Sequence, residues 1–371
     1  KLEDAVLSGQ VKALEELCMV ITPPFHSYRF KTHFYKLVFN DVPQLQVDEQ
    51  EVQSHTWEDG NFYVNCYERG KILVVPPVLR MLEALAENLD VTHVPDADFT
   101  WDAETQVPRW EVFRDFWHLP VLSHTLPPAD RTNAFIVGGF LVDPSPTDEE
   151  YPRLMNVLAH FDLKGIFLTH HHSDHCQHAD KIAREKEIPI HISQDSHGRI
   201  MDKRGADFFD GISVQHRTPG EVLTHWIGKP VIIHGVPGHD AGQLALAPDS
   251  LEWFIVGDLI QGVGTVVIAA PEGHMKTYME TLQKVIDLNP AFIFPSHGNG
   301  MGGVYRLEET LKHRKKREAQ VLELYKRGKS RVDILNNIYK DLHPALHPLA
   351  MANIESHLAK LDDEGLLVWN S

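Results

Sequence analysis

Thr169-His170-His171-His172-Ser173-Asp174-His175 follows the apolar run Gly165–Leu168 and decides how the rest of the chain reads. A buried strand that ends in a polar loop delivers side chains to a crevice at its carboxyl end. His170 and His172 are two residues apart, so an extended backbone points both the same way. Asp174 and His175 follow on the turn and face a second point in space. Two neighbouring metal positions are thus on offer between His170 and His175. Imidazole nitrogens and carboxylates suit zinc. Iron or manganese suits the same cage, because ligand type alone does not separate them.

Three later features have the same form. Gly238-His239-Asp240 follows the apolar run Val231–Ile233, Gly257-Asp258 closes Trp253–Val256, and Ser296-His297-Gly298 closes Phe292–Phe294. Each places a ligand-type residue just past the end of a strand candidate. A lone histidine such as His26, His124, His191 or His347 reads as an ordinary surface or core residue; the run with its three strand-end partners does not.

The chain has 371 residues, 43% hydrophobic and 23% charged, so it is neither wholly disordered nor collagen-like nor a coiled coil. Its length suggests two or three domains. No stretch has the ~18 consecutive apolar residues of a membrane span. The net charge of −17 argues against coating duplex DNA by bulk charge and leaves room for a local basic patch. Cys18, Cys66 and Cys176 are too few and scattered for a disulfide scaffold, which points to a reducing, cytoplasmic compartment. Residue 1 is Lys, so a targeting signal is not assessable from this terminus.

From Phe113 to about Phe294 short apolar runs alternate with amphipathic segments, the pattern of an α/β layered fold. Strands are expected at Ala134–Val142, Gly165–Leu168, Ile190–Ile192, Pro230–His234, Leu244–Leu246, Trp253–Val256 and Phe292–Phe294, and helices at 148–161, 177–187 and 274–288. Before this, residues 3–18 read as a helix with Leu2, Ala5, Val6, Leu14 and Leu17 as apolar points. Arg29 to Phe39 alternates as a strand, and the polar stretch 89–108 reads as a boundary. In the tail, 314–326 is a charged helix closed by Gly328. Ser330 with Asp333 makes a capping box for the next helix. Ala350, Ile354, Leu358 and Leu361 recur at helical spacing, and Leu366 to Trp369 reads as a short strand. Three helices and a terminal strand resemble a winged helix-turn-helix.

The H-x-H-x-D-H run formed by His170, His172, Asp174 and His175, with His239, Asp258 and His297 downstream, resembles the metallo-β-lactamase superfamily over roughly residues 113–312. Asn133 in a T-N-x-F context and Asp143 after Phe140–Val142 belong to the same resemblance. It implies an αββα sandwich with a dinuclear centre. One metal is held by His170, His172 and His239. The other is held by Asp174, His175 and His297, with Asp258 bridging. Asp174 and Asp258 take the catalytic roles, orienting a metal-bridging hydroxide for hydrolysis. Cys176 follows the run where small residues are usual, and reads as a buried thiol.

Only 38 residues separate Asp258 from His297, which leaves no room for the large insertion of β-CASP nucleases. The closer resemblance is to the β-lactamase-like protein 2 group. It rests on Gly257-Asp258 … Gly264-Thr265-Val266, the helix Tyr278–Leu288, Pro295–Gly298 and His313-Arg314 … Arg317-Glu318 … Gln320-Val321-Leu322. That group includes a single-strand-specific endoribonuclease, so the resemblance implies a phosphodiesterase acting on single-stranded RNA. A thioesterase of the glyoxalase II or acyl-CoA type shares the ligand set and stands as the alternative with a small-molecule substrate; a scaffold with a structural metal is the third. Between Lys312 and Arg331 stand nine Lys or Arg and two Glu, a segment that either holds a phosphate backbone or is a solvated helix face. A homodimer is one arrangement that multi-domain enzymes of this kind adopt.

Residues Arg29 to Tyr35, Glu49–Glu51, Trp57 and Gly70 to Arg80 resemble the carboxyl half of a Nudix domain of the coenzyme A pyrophosphatase type. The Nudix box is found nowhere in the chain, and Lys31 stands where those proteins often have Asp, so no Nudix catalysis is assigned. Whether a box lies upstream of Lys1 is open. The expected domains are 1–100, Nudix-like; 111–312, catalytic; and 313–371, a winged-helix-like tail.

Overall fold

The computed structural model describes residues 11–23, 29–42, 55–94 and 102–369. Leu2, Ala5, Val6, His26 and Glu49–Glu51 lie outside the described residues. The chain divides into two compact units: Lys1–Asp102 with Trp110–Trp117, and Ala103–Arg109 with His118–Ser371.

In the first unit β1 (Val11–Ile21) pairs antiparallel with β2 (Lys31–Phe39). Two helices follow, α1 (Gly60–Glu68) and α2 (Pro76–Glu87), and a short strand β3 (Trp110–Phe113); β4 (Phe116–Leu122) comes next along the chain. The helix expected over 3–18 is, in its described part, strand β1. Its side chains alternate between sheltered and exposed as far as Glu16, and the register then slips between Glu16 and Cys18. Such a bulge brings Leu17 and Cys18 inward together and disguises a period of two as a helical one. Leu17, Cys18 and Val20 pack with Met81 and Val94.

The second unit carries two sheets. In one, β5 (Arg131–Val137) and β6 (Phe140–Val142) are antiparallel. β6, β7 (Gly165–Phe167), β8 (Ile190–Ile192) and β9 (Val214–His216) then run parallel. Ala134–Val142, expected as one strand, is this β5–β6 hairpin. Gly138 and Gly139 take φ +56° and +86° between its arms, and a Cβ on Gly138 would meet Thr224 Oγ1 at 2.6 Å. Only glycine accepts such a turn here.

The other sheet has the order β10 (Val222–Trp226), β11 (Lys229–Gly235), β12 (Leu244–Pro248), β13 (Phe254–Gly257), β14 (Phe292–Pro295), β15 (Met301–Gly302). Within it β13 and β14 are the parallel pair. Phe135 of β5 meets Phe294 of β14 edge-on at 5.8 Å, where the two sheets face each other. On the first sheet α3 (Tyr151–Leu158) and α5 (Ala179–Lys186) bury Leu154, Val157, Ile182 and Ala183. On the second sheet α7 (Met275–Leu288) buries Met275, Tyr278 and Leu282 against Ala245, Phe254 and Ile293. The short α4 (Ser173–Cys176) lies between β7 and α5, and α6 (Gln194–Arg204), which periodicity did not reveal, follows β8.

The tail helix expected to start after residue 312 is α8 (Tyr305–Lys326), which begins inside the expected catalytic segment and buries Leu307 and Leu311 in the core of the second sheet. The capping box of Ser330 and Asp333 opens α9 (Arg331–Ile338), and α10 (His347–Asp363) completes the tail. Val321, Ile334, Ile354, Leu358 and Leu361 form its core. Leu366 to Trp369 is not a strand. Leu366 N bonds back to Leu361 O, and Tyr325 Oη donates to Val368 O, so the segment closes the helix instead of entering a ladder. Among the described residues no helix is long and apolar enough to cross a membrane.

Candidate metal centre

The parallel strands β6 and β7 end together, and the loops beyond them carry the first half of the site. Asp143, at φ +45°, turns its carboxylate back under the next loop: Oδ1 accepts from Thr169 N (2.8 Å) and Oδ2 from Thr169 Oγ1 (2.6 Å). This fixes the chain just before His170. His172 is the N-cap of α4, whose single turn brings Asp174 and His175 round to a different side from His170. The other sheet supplies the second half: His239 lies past β11, Asp258 past β13 and His297 past β14. Asn133 ties the two sheets, its Nδ2 donating to Pro295 O (2.8 Å) and Gly298 O (2.6 Å) on either side of His297.

All seven side chains singled out in the sequence come together. His172 Nδ1 lies 2.9 Å from His170 Nε2 and 3.1 Å from His239 Nε2. Asp174 Oδ2 lies 3.4 Å from His297 Nε2, and Asp174, His175 and His297 form a second group. Asp258 stands between the groups, with Oδ2 at 3.7 Å from His239 Nε2 and Oδ1 at 3.6 Å from His175 Nε2 and 3.5 Å from His297 Nε2. His170, His175 and His297 are fully buried, and Asp258 nearly so.

The outer nitrogens show what the inner ones can do. His239 Nδ1 donates to Val267 O (2.8 Å) and His297 Nδ1 to Arg131 O (2.9 Å). A carbonyl only accepts, so each Nδ1 carries a proton, and in the neutral ring Nε2 then turns a lone pair inward. His172 Nε2 meets Glu272 Oε2 (2.9 Å), and His175 Nδ1 meets Asp143 Oδ2 (2.9 Å). Both contacts leave the inner nitrogen free to bind. Among the described residues, His175 Nε2 and Asp258 Oδ1 are buried with no hydrogen-bond partner, a costly state that a cation would relieve.

Charge agrees. Burial, with His239 beside it, lowers His172 to about 4 and keeps it neutral. Burial alone would raise Asp174, but His175 and His297 outweigh it and hold the carboxyl at about 2. Burial likewise opposes a charge on His175, yet Asp258, Asp143 and Asp174 raise its pKa well above the ordinary value, so positive charge at that point is favoured whatever carries it. On one side burial keeps His170 and His172 neutral; on the other, ionised Asp174 and Asp258 favour positive charge beside them, and both halves fit neighbouring cation positions.

Glu272 had no signal in the sequence. It joins His172 to Lys203, whose Nζ lies 2.6 Å from Glu272 Oε1 and 2.9 Å from His171 Nε2. His171 Nδ1 in turn lies 2.8 Å from Asp240 Oδ2, both residues buried. His171, His172, Asp240 and Glu272 are also close enough to hold an ion, but the Lys203 ammonium already supplies a positive charge there. Cys176 is fully buried, points to His171 O, and burial pushes its thiol up to about 11, so it is a packing residue. The centre opens into a cavity of about 590 Å³ whose lining includes His124, Lys203, Arg204, Gln261, Thr265 and Leu349.

The basic segment 312–331 contributes nothing to that lining. Arg314 is buried, Arg317 lies over the Tyr339 ring, and Lys312, Arg327 and Arg331 pair with Glu309, Glu323 and Glu355.

The sequence matches the metallo-beta-lactamase superfamily over residues 127–297 and the beta-lactamase associated winged helix domain over residues 331–370. A beta-lactamase-like protein 2 homolog from Caenorhabditis elegans is 30% identical over 251 residues, 64% of this chain and 80% of that protein. The chain belongs to the metallo-β-lactamase superfamily, a family of metal-dependent hydrolases. A hydroxyacylglutathione hydrolase from Bdellovibrio bacteriovorus is 27% identical over 137 residues, 37% of this chain and 49% of that protein. The crystal structure of a beta-lactamase domain protein from Burkholderia ambifaria superposes with a TM-score of 0.61 at 17% identity, over 72% of this chain and 91% of that one, which shows the shared fold. The superfamily match begins at residue 127, past the segment read as Nudix-like.

Proposed function

We propose that the chain is a hydrolase that works with two bound metal ions, zinc by the balance of imidazole over oxygen donors, and that it cleaves phosphodiester bonds in single-stranded RNA. His170, His172 and His239 would hold one ion, and Asp174, His175 and His297 the other. Asp258 would reach both, one oxygen to each group. The observation that carries this reading is the set of inward lone pairs, with the outer nitrogens of His239 and His297 committed to carbonyls. When bound, such ions supply Lewis acidity and lower the pKa of water from ~15.7 towards ~7.

The chain's own residues do the rest. Asp174 and Asp258, ionised at neutral pH, accept hydrogen bonds from the attacking water and fix its direction. Thr169 and Asp143 hold the His170 and His175 side in register. Lys203 and Arg204 at the cavity wall meet an anionic substrate. The phosphodiester reading follows from the resemblance to the β-lactamase-like protein 2 group together with that cationic wall.

A thioester substrate is the second reading, favoured by the similarity to a hydroxyacylglutathione hydrolase. Incubation with labelled single-stranded RNA and, separately, with an acyl thioester decides between them. Chelator-sensitive RNA cleavage is the expected result. Thiol release without RNA cleavage replaces the substrate, and neither activity in the metal-loaded protein removes the hydrolase reading.

A further inference from the structure

His239 hangs on a strand of backbone that the tail helices hold. Its Nδ1 donates to Val267 O, and the two neighbours of Val267 are each tied to the tail. Val266 O accepts from Arg314 Nη2 on α8. Ile268 N donates to Asn353 Oδ1 on α10 (3.0 Å). The same Asn353 Oδ1 accepts from Arg314 Nη1 (3.1 Å), so the two tail residues form one bracket around Val267.

Arg314 is 2% exposed. Burying a guanidinium is costly unless its hydrogens are satisfied; here Nη1 and Nη2 donate to an amide oxygen and a carbonyl, the guanidinium carbon lies 5.3 Å from the Tyr278 ring centroid, and Nε has no partner among the described residues. Tyr278 itself packs closely on Gly238, the residue before His239. A Cβ on Gly238 would lie 2.3 Å from Tyr278 Cα, and Tyr278 Oη donates to Leu259 O, next to Asp258. The acceptor of the imidazole and the residue before it thus each lie beside a group that meets Arg314.

We infer that Arg314 and Asn353 are positioning residues for His239, so that the winged-helix tail is part of the metal centre: it sets the affinity of the His170–His172–His239 position and leaves the Asp174–His175–His297 position alone. This assigns a task to the His313-Arg314 motif that charge attraction for nucleic acid does not. It rests on the reading of His239 as a ligand.

The test is metal binding by the full chain, followed by competition with a chromophoric chelator and, for cobalt(II), by the visible absorption band. Loss of the bracket's amide oxygen in Asn353→Ala should weaken one of two ions by about 10–100-fold, the usual effect of losing a group that orients a ligand, and shift the cobalt band. Asn353→Asp keeps an oxygen for both Ile268 N and Arg314 and should restore affinity and band. Equal affinities in all three proteins, or parallel loss of both ions in a folded Asn353→Ala, overturns the inference. Should Asn353→Ala fail to fold, the native chain still decides: zinc should slow hydrogen exchange at the Ile268 amide at least tenfold, and an unchanged rate overturns it. A wild-type chain that binds no metal removes the function proposed above, and this inference with it. Two ions in the wild type with indifferent variants removes this inference alone.

Discussion

Asp174→Ala removes one carboxylate from the group it forms with His175 and His297. The residue is ionised at neutral pH, since its neighbours hold it at about 2. Its Oδ2 stands 3.4 Å from His297 Nε2. Against a cation held at about that distance, one unit charge is worth about 5 kcal/mol at an effective dielectric near 20. Relaxation of neighbouring groups and entry of water recover part of this. If about half is lost, the cost is about 2.5 kcal/mol, close to two decades in rate or affinity. Turnover should therefore fall at least ~10²-fold, and the metal content of the variant should drop from about two ions towards one. The assays are elemental analysis of dialysed protein and initial rates with RNA and thioester substrates, wild type and variant side by side. Wild-type turnover in a variant retaining one ion would show that the second position takes no part in the chemistry. Wild-type turnover with both ions would show that Asp174 holds neither.

Chelation should destabilise the second unit, because ligands that bind only the folded state stabilise it by mass action. Zinc held at ~100 times its dissociation constant should raise the midpoint of thermal unfolding by about 5–10 °C, and calorimetry with and without chelator reads the difference; coincident curves contradict bound metal. Gly238→Ala puts a Cβ 2.3 Å from Tyr278 Cα at φ +136° and should cost about 3 kcal/mol or more; urea unfolding within 1 kcal/mol of wild type would mean that the loop yields freely. A pH effect arises away from the centre, at His191. Burial first, then Arg217, lowers it to about 4, and its Nδ1 accepts from Arg217 Nε. The unfolded imidazole takes a proton near pH 6.5 and the folded one does not, so the contribution is whole above 6.5 and is lost as pH falls from 6.5 towards 4. By pH 5 this amounts to about 2 kcal/mol, or about 1 after allowing for the partly solvated Arg217. In His191→Gln the loss of stability between pH 7 and pH 5 should be smaller by that amount, and an equal loss in both proteins would refute it.

The residues of the centre were legible because each carries its chemistry in its side chain and each stands at the end of an apolar run. His170, His239, Asp258 and His297 follow β7, β11, β13 and β14 just as that pattern requires. What the sequence could not reveal has a common physical cause. The partners that fix the tautomers of His239 and His297 are the carbonyls of Val267 and Arg131, and any residue has a carbonyl. Glu272 lies 100 positions from His172, with no spacing rule to connect them. The first helix failed for a local reason: a bulge at Glu16–Cys18 breaks the alternation on which strand recognition depends.

The basic segment shows what charge counting leaves out at this scale. Nine cations within twenty residues look like a surface for polyanions, yet their positions on α8 and α9 give five of them other tasks. Arg314 is buried as a bracket, Arg317 covers a ring, and three are paired with glutamates. The cations that face the cavity, Lys203 and Arg204, come instead from the end of α6, where the sequence shows only two unremarked basic residues. Lys203 is bound to Glu272, and Glu272 to His172, so a substrate anion drawn to Lys203 would compete with the carboxylate that orients a metal-facing ring. Substrate recognition and the geometry of the proposed metal site would thus be linked through one glutamate. Glu272→Gln keeps an oxygen for one partner but removes the charge. With that oxygen kept on His172, it should weaken the hold on Lys203, free that ammonium for the substrate and lower KM for anionic substrates, while kcat falls as the His172 ring is left with an uncharged acceptor. If KM and kcat are both unchanged, Lys203 and His172 act independently and the link does not exist.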